Sequence, residues 1–301
     1  MQQLSLLIVM LAALIIPIIM ARFKVSSIPT AIAEIITGII LGKSFLNIVN
    51  PNWTLNMMSS MGVIMLMFLS GMEINFDLFR KTPGKKRDSK SPVVMASQAF
   101  GLIIAAALII AIVISRLGLF KDVLLATIIF STVALGVVIA TLKEKDILQK
   151  PVGQTILLTA VLGEVVPMLA LTFYASINGG NARRLWLIVL LFLAAFILLR
   201  RFKQPYVWFN KISKSTTQLD VRLAFFLIFA LVTIAETVGA ENILGAFLAG
   251  MVMKLLQPSE TTEDRLNSIG YGFLIPFFFI MTGDRLDLKH LFANHQALAL
   301  I

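Results

Sequence analysis

Ala33–Gly42 reads AEIITGIILG and Phe68–Asn75 reads FLSGMEIN; far downstream, Gly245–Lys254 reads GAFLAGMVMK and Ile280–Asp287 reads IMTGDRLD. Gly38 and Gly71 are 33 residues apart, and so are Gly250 and Gly283, so one shift of 212 positions relates both pairs. A constant register across two separated apolar segments marks an internal repeat. All four segments carry small residues within largely apolar stretches, as helices packed closely inside a membrane require.

Outward from these segments the whole chain has the same character. Of 301 residues, 58% are hydrophobic and only 14% are charged, against roughly 45–50% and about 25% in soluble domains. That composition excludes a soluble enzyme of this size and intrinsic disorder alike. Without cysteine there is no disulfide, thiolate nucleophile or cysteine metal site. A spanning helix needs roughly 20 mainly apolar residues. Spans are expected near 4–21, 28–42, 57–72, 93–115, 122–142, 152–176, 185–200, 220–238, 242–256 and 269–284, with an eleventh starting near Leu291. The apolar runs are continuous rather than alternating, so the fold class is an all-α polytopic membrane protein and not a barrel.

The net charge of +10 resides in the connections. If the N-terminus lies outside, 19 Lys and Arg residues fall on the cytoplasmic side and seven on the outer side, which obeys the positive-inside rule. The expected orientation is therefore N-terminus outside, and the expected location is a bacterial-type plasma membrane, crossed many times. The basic run KTPGKKRDSK then reads as a cytoplasmic loop beside anionic headgroups of the bilayer, and no nucleic-acid partner is expected. The start MQQLSLLIVM lacks the features of a cleaved signal peptide and reads as a retained span.

Span two and its copy, span nine, are seven positions apart in the order of crossings, so they run in opposite directions. Inverted repeats of this kind are a transporter signature, with the substrate site near the midplane. Adding 212 to spans four to six places their copies near 305–388, past Ile301, so the sequence reads as C-terminally truncated by about three helices.

Chemistry concentrates on one side chain. Glu164 is the sole charged residue from Pro151 to Ala182 and lies 12 residues from each end of its expected span, near the bilayer centre. Intramembrane acids are functional by default; a carboxyl there can release a proton and hold a cation in its place. The preceding span, ATIIFSTVALGVVIATLKE, carries Ser131, Thr132 and Gly136. It could unwind to present backbone carbonyls to an ion, or its hydroxyls could back-bond while Gly136 serves close packing. Glu34 is the sole charge between Val25 and Gly42, and its repeat counterpart is Ala246. A structural hydrogen bond is the plainer reading of Glu34, with ion binding as the secondary one. Glu73, Glu236 and Glu241 read as interfacial acids that reach water. His290 and His295 have no spaced partners, so no metal site is assigned, and no cofactor is expected.

Taken together, AEIITGIILGKS, MLMFLSGMEIN, FSTVALGVVIATLKE, LTAVLGEVVPMLAL, NILGAFLAGMVM and IPFFFIMTGDRLDL resemble the monovalent cation:proton antiporter-2 family, the Kef-type and NapA-type exchangers. The resemblance implies the inverted-repeat antiporter fold and a homodimer built from a dimerisation domain and a mobile core. It also implies a broken fifth span and exchange of Na+ or K+ for protons by an elevator-like motion. Relatives carry Asp-Asp, Asn-Asp or Gln-Asp at the ion site. Here Gly163-Glu164 stands there, so Glu164 takes the essential carboxylate and Gly163 offers no side chain. The expected organisation is dimerisation-type helices at 1–92, core helices at 93–182 and a linker helix with its loop at 183–219. Second-repeat dimerisation-type helices follow at 220–290, and the start of a core helix at 291–301. The leading expectation is a secondary antiporter with Glu164, Thr132, Ser131 and Gly163 at its site. A Kef-like efflux channel and a non-transporting assembly protein are the alternatives; an intramembrane protease is not expected, for want of HExxH or a Ser–His pair.

Overall fold

The computed structural model describes residues 2–24, 28–76, 91–178, 192–201, 217–238 and 241–288. Among them, every regular element is helical. The order is α1 (Gln2–Arg22), α2 (Thr30–Leu41), α3 (Trp53–Met72), α4 (Pro92–Arg116), α5 (Val123–Phe130), α6 (Leu135–Glu144) and α7 (Pro151–Asn178). There follow α8 (192–201), α9 (Leu219–Val238), α10 (Asn242–Leu255), α11 (Glu260–Ile269), a π turn (Gly270–Leu274) and α12 (Ile275–Arg285). Among the described residues, six stretches are long and apolar enough to cross a membrane: those of α1, α3, α4, α5–α6, α7 and α11–α12. The chain is an integral membrane protein. The expected eleventh span, His290, His295 and the basic run KTPGKKRDSK lie outside the described residues, as does most of the linker at 183–219.

Two expected boundaries are corrected. The fifth span is not one helix: α5 and α6 are separated by residues 131–134, the break that the family resemblance implied. The connection expected at 257–268 is mostly helix, because polarity does not forbid a helix that is well capped. Ser259 accepts the Thr262 backbone N–H at 3.3 Å, and Lys254 pairs with Glu263 at 3.0 Å. Pro276 cannot donate a backbone hydrogen bond, and the π turn just ahead of it carries α11 into α12 with Ile275 donating to Gly270.

At about 1.5 Å per residue, the 12 residues of α2 extend about 18 Å, short of the roughly 30 Å hydrocarbon layer. Its buried seam is therefore set by packing, and glycine sets the packing. A Cβ at Gly38 would lie 1.9 Å from the Ile280 carbonyl oxygen, and one at Gly283 would lie 2.0 Å from that of Ile35. A Cβ at Gly250 would lie 1.9 Å from the Phe68 oxygen, and one at Gly71 would lie 2.3 Å from that of Phe247. The shift of 212 carries Gly38 to Gly250, Ile35 to Phe247, Phe68 to Ile280 and Gly71 to Gly283. The α2–α12 crossing is thus the α3–α10 crossing with the copies exchanged. An operation that exchanges copies is a two-fold rotation, as the inverted repeat requires. Gly62 meets its own counterpart, with its Cβ position 2.4 Å from the Leu274 oxygen, so the pseudo-axis passes between α3 and α12. Outside this scaffold, α4 packs on α5 and α7, and α6 is the element of that group that touches both α2 and α3. Leu7, Leu11, Leu14 and Ile18 face outward from α1 and Leu102 and Ile109 from α4, apolar surfaces suited to lipid.

Candidate functional site

Glu164 lies in the middle of α7, a 28-residue helix. Three residues on, Pro167 has no backbone N–H to return to the carbonyl of residue 163. That freed Gly163 oxygen accepts a hydrogen bond from Val133 N–H at 2.9 Å, so the unwound 131–134 segment is tied to α7. Glycine at 163 permits the approach: a Cβ there would come within 2.5 Å of Val133 Cγ2 and 2.8 Å of its Cβ. Two residues on, at the end of the break, Leu135 N–H donates to Glu164 Oε2 at 2.9 Å. Leu135 is the first residue of α6, where orphan N–H groups and the helix dipole favour negative charge. Ala134, at the N-cap, provides no side-chain cap, and the glutamate supplies it from the neighbouring helix.

Glu164 opens on a cavity of about 400 Å³ lined also by Ile128, Thr132, Pro167, Met168 and Glu241. The expected site residues therefore divide. Glu164 and Thr132 share the cavity, with the Thr132 hydroxyl donating to the Ile129 carbonyl at 2.7 Å and its oxygen lone pairs left to accept or coordinate. Gly163 contributes its carbonyl to the tether. Ser131 is buried and turned back onto the Ile128 carbonyl at 2.9 Å. Gly136 lies on another seam, where a Cβ would meet Leu66 Cδ2 of α3 at 2.5 Å; it is a packing glycine. Glu34 is buried on α2 and lines a different cavity, with Lys143, Glu144 and Tyr271. Glu73 is no free interfacial acid: its Oε1 pairs with Lys143 at 2.6 Å and its Oε2 accepts from Gln149 at 3.1 Å. Pro167 and Glu144 were not singled out from the sequence, and Glu241, read there as an interfacial acid, lines the Glu164 cavity; Pro167, three residues after an intramembrane acid, was the available signal.

The geometry accommodates one small cation beside the carboxylate, or a proton on it, next to backbone that is already out of helical hydrogen bonding. The comparisons agree in direction. A family model described as the transmembrane sodium/hydrogen exchanger matches residues 9–301. YjbQ of Bacillus subtilis (strain 168), named as a candidate Na+/H+ antiporter, is 41% identical over 99% of this chain and 50% of its own length. A candidate Na+/H+ antiporter of Methanocaldococcus jannaschii is 28% identical over 92% of this chain and 70% of its own. The Na+/H+ antiporter of Enterococcus hirae is 25% identical over 86% and 67% respectively. The chain thus spans about half the length of YjbQ and about two thirds of the other two.

Proposed function

We propose, since this chain belongs to the sodium/hydrogen exchanger family, that it carries the ion site of a membrane antiporter trading Na+ or K+ for protons at Glu164. The observation that carries this reading is the hydrogen bond from Leu135 N–H to Glu164 Oε2 at the mouth of the α5–α6 break. An anionic carboxylate is supported there by the end of α6, and a proton or a cation arriving from the cavity neutralises it. Both occupants need the same oxygens, so binding one expels the other. That competition couples the two fluxes without any covalent chemistry. In this reading α4–α7 form the moving core and α1–α3 with α9–α12 the scaffold, in a homodimer whose N-terminus is outside a bacterial-type plasma membrane. The fewer seams between the groups, made chiefly through α6, support that division.

The test is Glu164→Gln in proteoliposomes that report cation-driven proton movement with a pH-sensitive dye. Flux is expected to fall to the level of protein-free vesicles while the protein stays inserted and monodisperse. Exchange that persists in the glutamine variant overturns the reading.

A further inference from the structure

We infer that a second monovalent-cation site lies in the cavity between α1, α2, α6 and the π turn, with Glu34 and Glu144 as its carboxylate ligands. The inference takes the kind of ion from the exchanger reading and its place from geometry independent of Glu164. The cavity measures about 700 Å³ and is lined by Glu34, Glu144, Lys143, Thr30 and Tyr271 among apolar side chains of α1 and α12. Glu34 is 5% exposed, and no hydrogen-bond donor among the described residues satisfies its carboxylate. The Tyr271 hydroxyl is also buried without a partner among them. A buried carboxyl and a buried hydroxyl without protein partners on one cavity inside a membrane protein call for an occupant that satisfies them.

The charge arrangement selects a cation. Among the described residues Lys143 is the one basic residue on the lining, and it is already committed. Its Nζ lies 2.6 Å from Glu73 Oε1 and 2.9 Å from Asn267 Oδ1, and 4.8 Å from the centre of the Tyr271 ring. Glu73 offsets the lysine from outside the lining, which leaves the two carboxylates as the uncompensated charge. Their mutual placement is fixed by α2: Glu144 Oε2 accepts the Thr30 N–H at 2.9 Å, and Thr30 and Glu34 are four residues apart, on one face of the helix. Glu144 is thereby held about one turn from Glu34. Glu144 is the last residue of α6, where the helix dipole favours positive charge, and Glu34 faces the same cavity from α2. Carboxylates and a phenol oxygen form a hard-oxygen set suited to an alkali ion that keeps some of its water. The cavity shares no lining residue with that of Glu164. The two sites occupy opposite ends of α6, so the short helix that caps Glu164 also carries Glu144.

Dicyclohexylcarbodiimide, which modifies protonated carboxyls in apolar surroundings, tests the site directly on the full chain, with labelled peptides quantified by mass spectrometry. Raising Na+ or K+ at constant ionic strength against choline is expected to reduce labelling of Glu34 at least fivefold, in the native chain and in Glu164→Gln alike. Glu144→Gln is expected to move the protecting concentration at least tenfold higher. Labelling of Glu34 that ignores both cations while Glu164 is protected overturns the site, as does an unchanged midpoint in Glu144→Gln. Failure to label Glu34 under any condition overturns it too, since the carboxyl is then closed to the cavity. Exchange surviving in Glu164→Gln would defeat the exchanger reading while leaving protection of Glu34 intact, so the two failures are told apart.

Discussion

The α2–α12 and α3–α10 crossings and the α5–α7 site both bring backbone to within a side chain's width of backbone, but by opposite means. At the crossings, unbroken helices meet through glycines, and a carbonyl oxygen occupies the place of each missing Cβ. At the site, one helix is unwound over residues 131–134, and a proline in the other has freed the carbonyl that receives it. The first arrangement needs no unwound backbone at the crossing and has little freedom to slide. The second replaces helical hydrogen bonds with two interchain-like ones, Val133 to Gly163 and Leu135 to Glu164, each 2.9 Å long. One of these depends on the charge of a titratable group. A rigid crossing and an adjustable break are what a scaffold and an ion site respectively demand, and the glycines of the two regions should respond differently to the same added methyl.

The largest effect is expected at Gly250. A valine there drives its side chain into the Phe68 carbonyl, where even Cβ would lie 1.9 Å away. The obstacle is backbone, so the helices must separate, losing at least the 1–3 kcal/mol typical of overpacked cores and about as much again from the parted seam. Gly250→Val should abolish recovery of monodisperse protein by size-exclusion chromatography. Because the two-fold exchanges the crossings, Gly38→Val should do the same. Normal recovery of one variant beside loss of the other would show that the two crossings do not share the burden equally.

How much of this could be read from the sequence follows the same division. Hydropathy adds along the chain, so the spans were legible, and the glycine register at 38, 71, 250 and 283 disclosed the repeat because a crossing leaves its mark at the residue that crosses. The break stood in the sequence as one of two readings of Ser131, Thr132 and Gly136, and the family resemblance implied it: FSTVALG is as apolar as a continuous helix, and what holds it open is a carbonyl 30 residues away at Gly163. Gly163 itself read as a missing ligand, whereas its lack of a side chain is what admits Val133. The helix α11 was obscured because ETTEDRLNSI is polar, and its existence depends on the cap at Ser259 and on Thr262 bonding Asp220 at 2.6 Å. Glu34 looked solitary because Glu144 joins it from 110 positions away.

A smaller and more instructive effect is expected at Gly163. Alanine there meets the Val133 side chain rather than backbone, an obstacle that can be removed by a second substitution. Gly163→Ala should lower stability by about 1–3 kcal/mol and weaken exchange by loosening the Val133 tether. Val133→Ala leaves Cβ in place but removes the nearer Cγ2, so it should restore a substantial part of both. A double-mutant cycle by thermal denaturation in detergent measures the coupling. Strict additivity would mean that Gly163 is not there to admit Val133, and the contrast between the two regions would lose its second half.

The smallest effect is expected where a glycine serves neither purpose. Gly101 lies inside α4 on an exposed face, and a Cβ there would meet nothing within 4 Å. With no close approach to protect, only the cost of glycine's backbone freedom remains. Gly101→Ala should therefore stabilise the protein by about 0.5–1 kcal/mol, seen as a rise in thermal midpoint with exchange unchanged. Glycine is then spared by circumstance at 101 and required at 250 and 163. A fall in stability would have a definite meaning: since nothing among the described residues meets that methyl, the contact would come from a segment outside them or from a second copy, and the face taken here for lipid would belong to an interface.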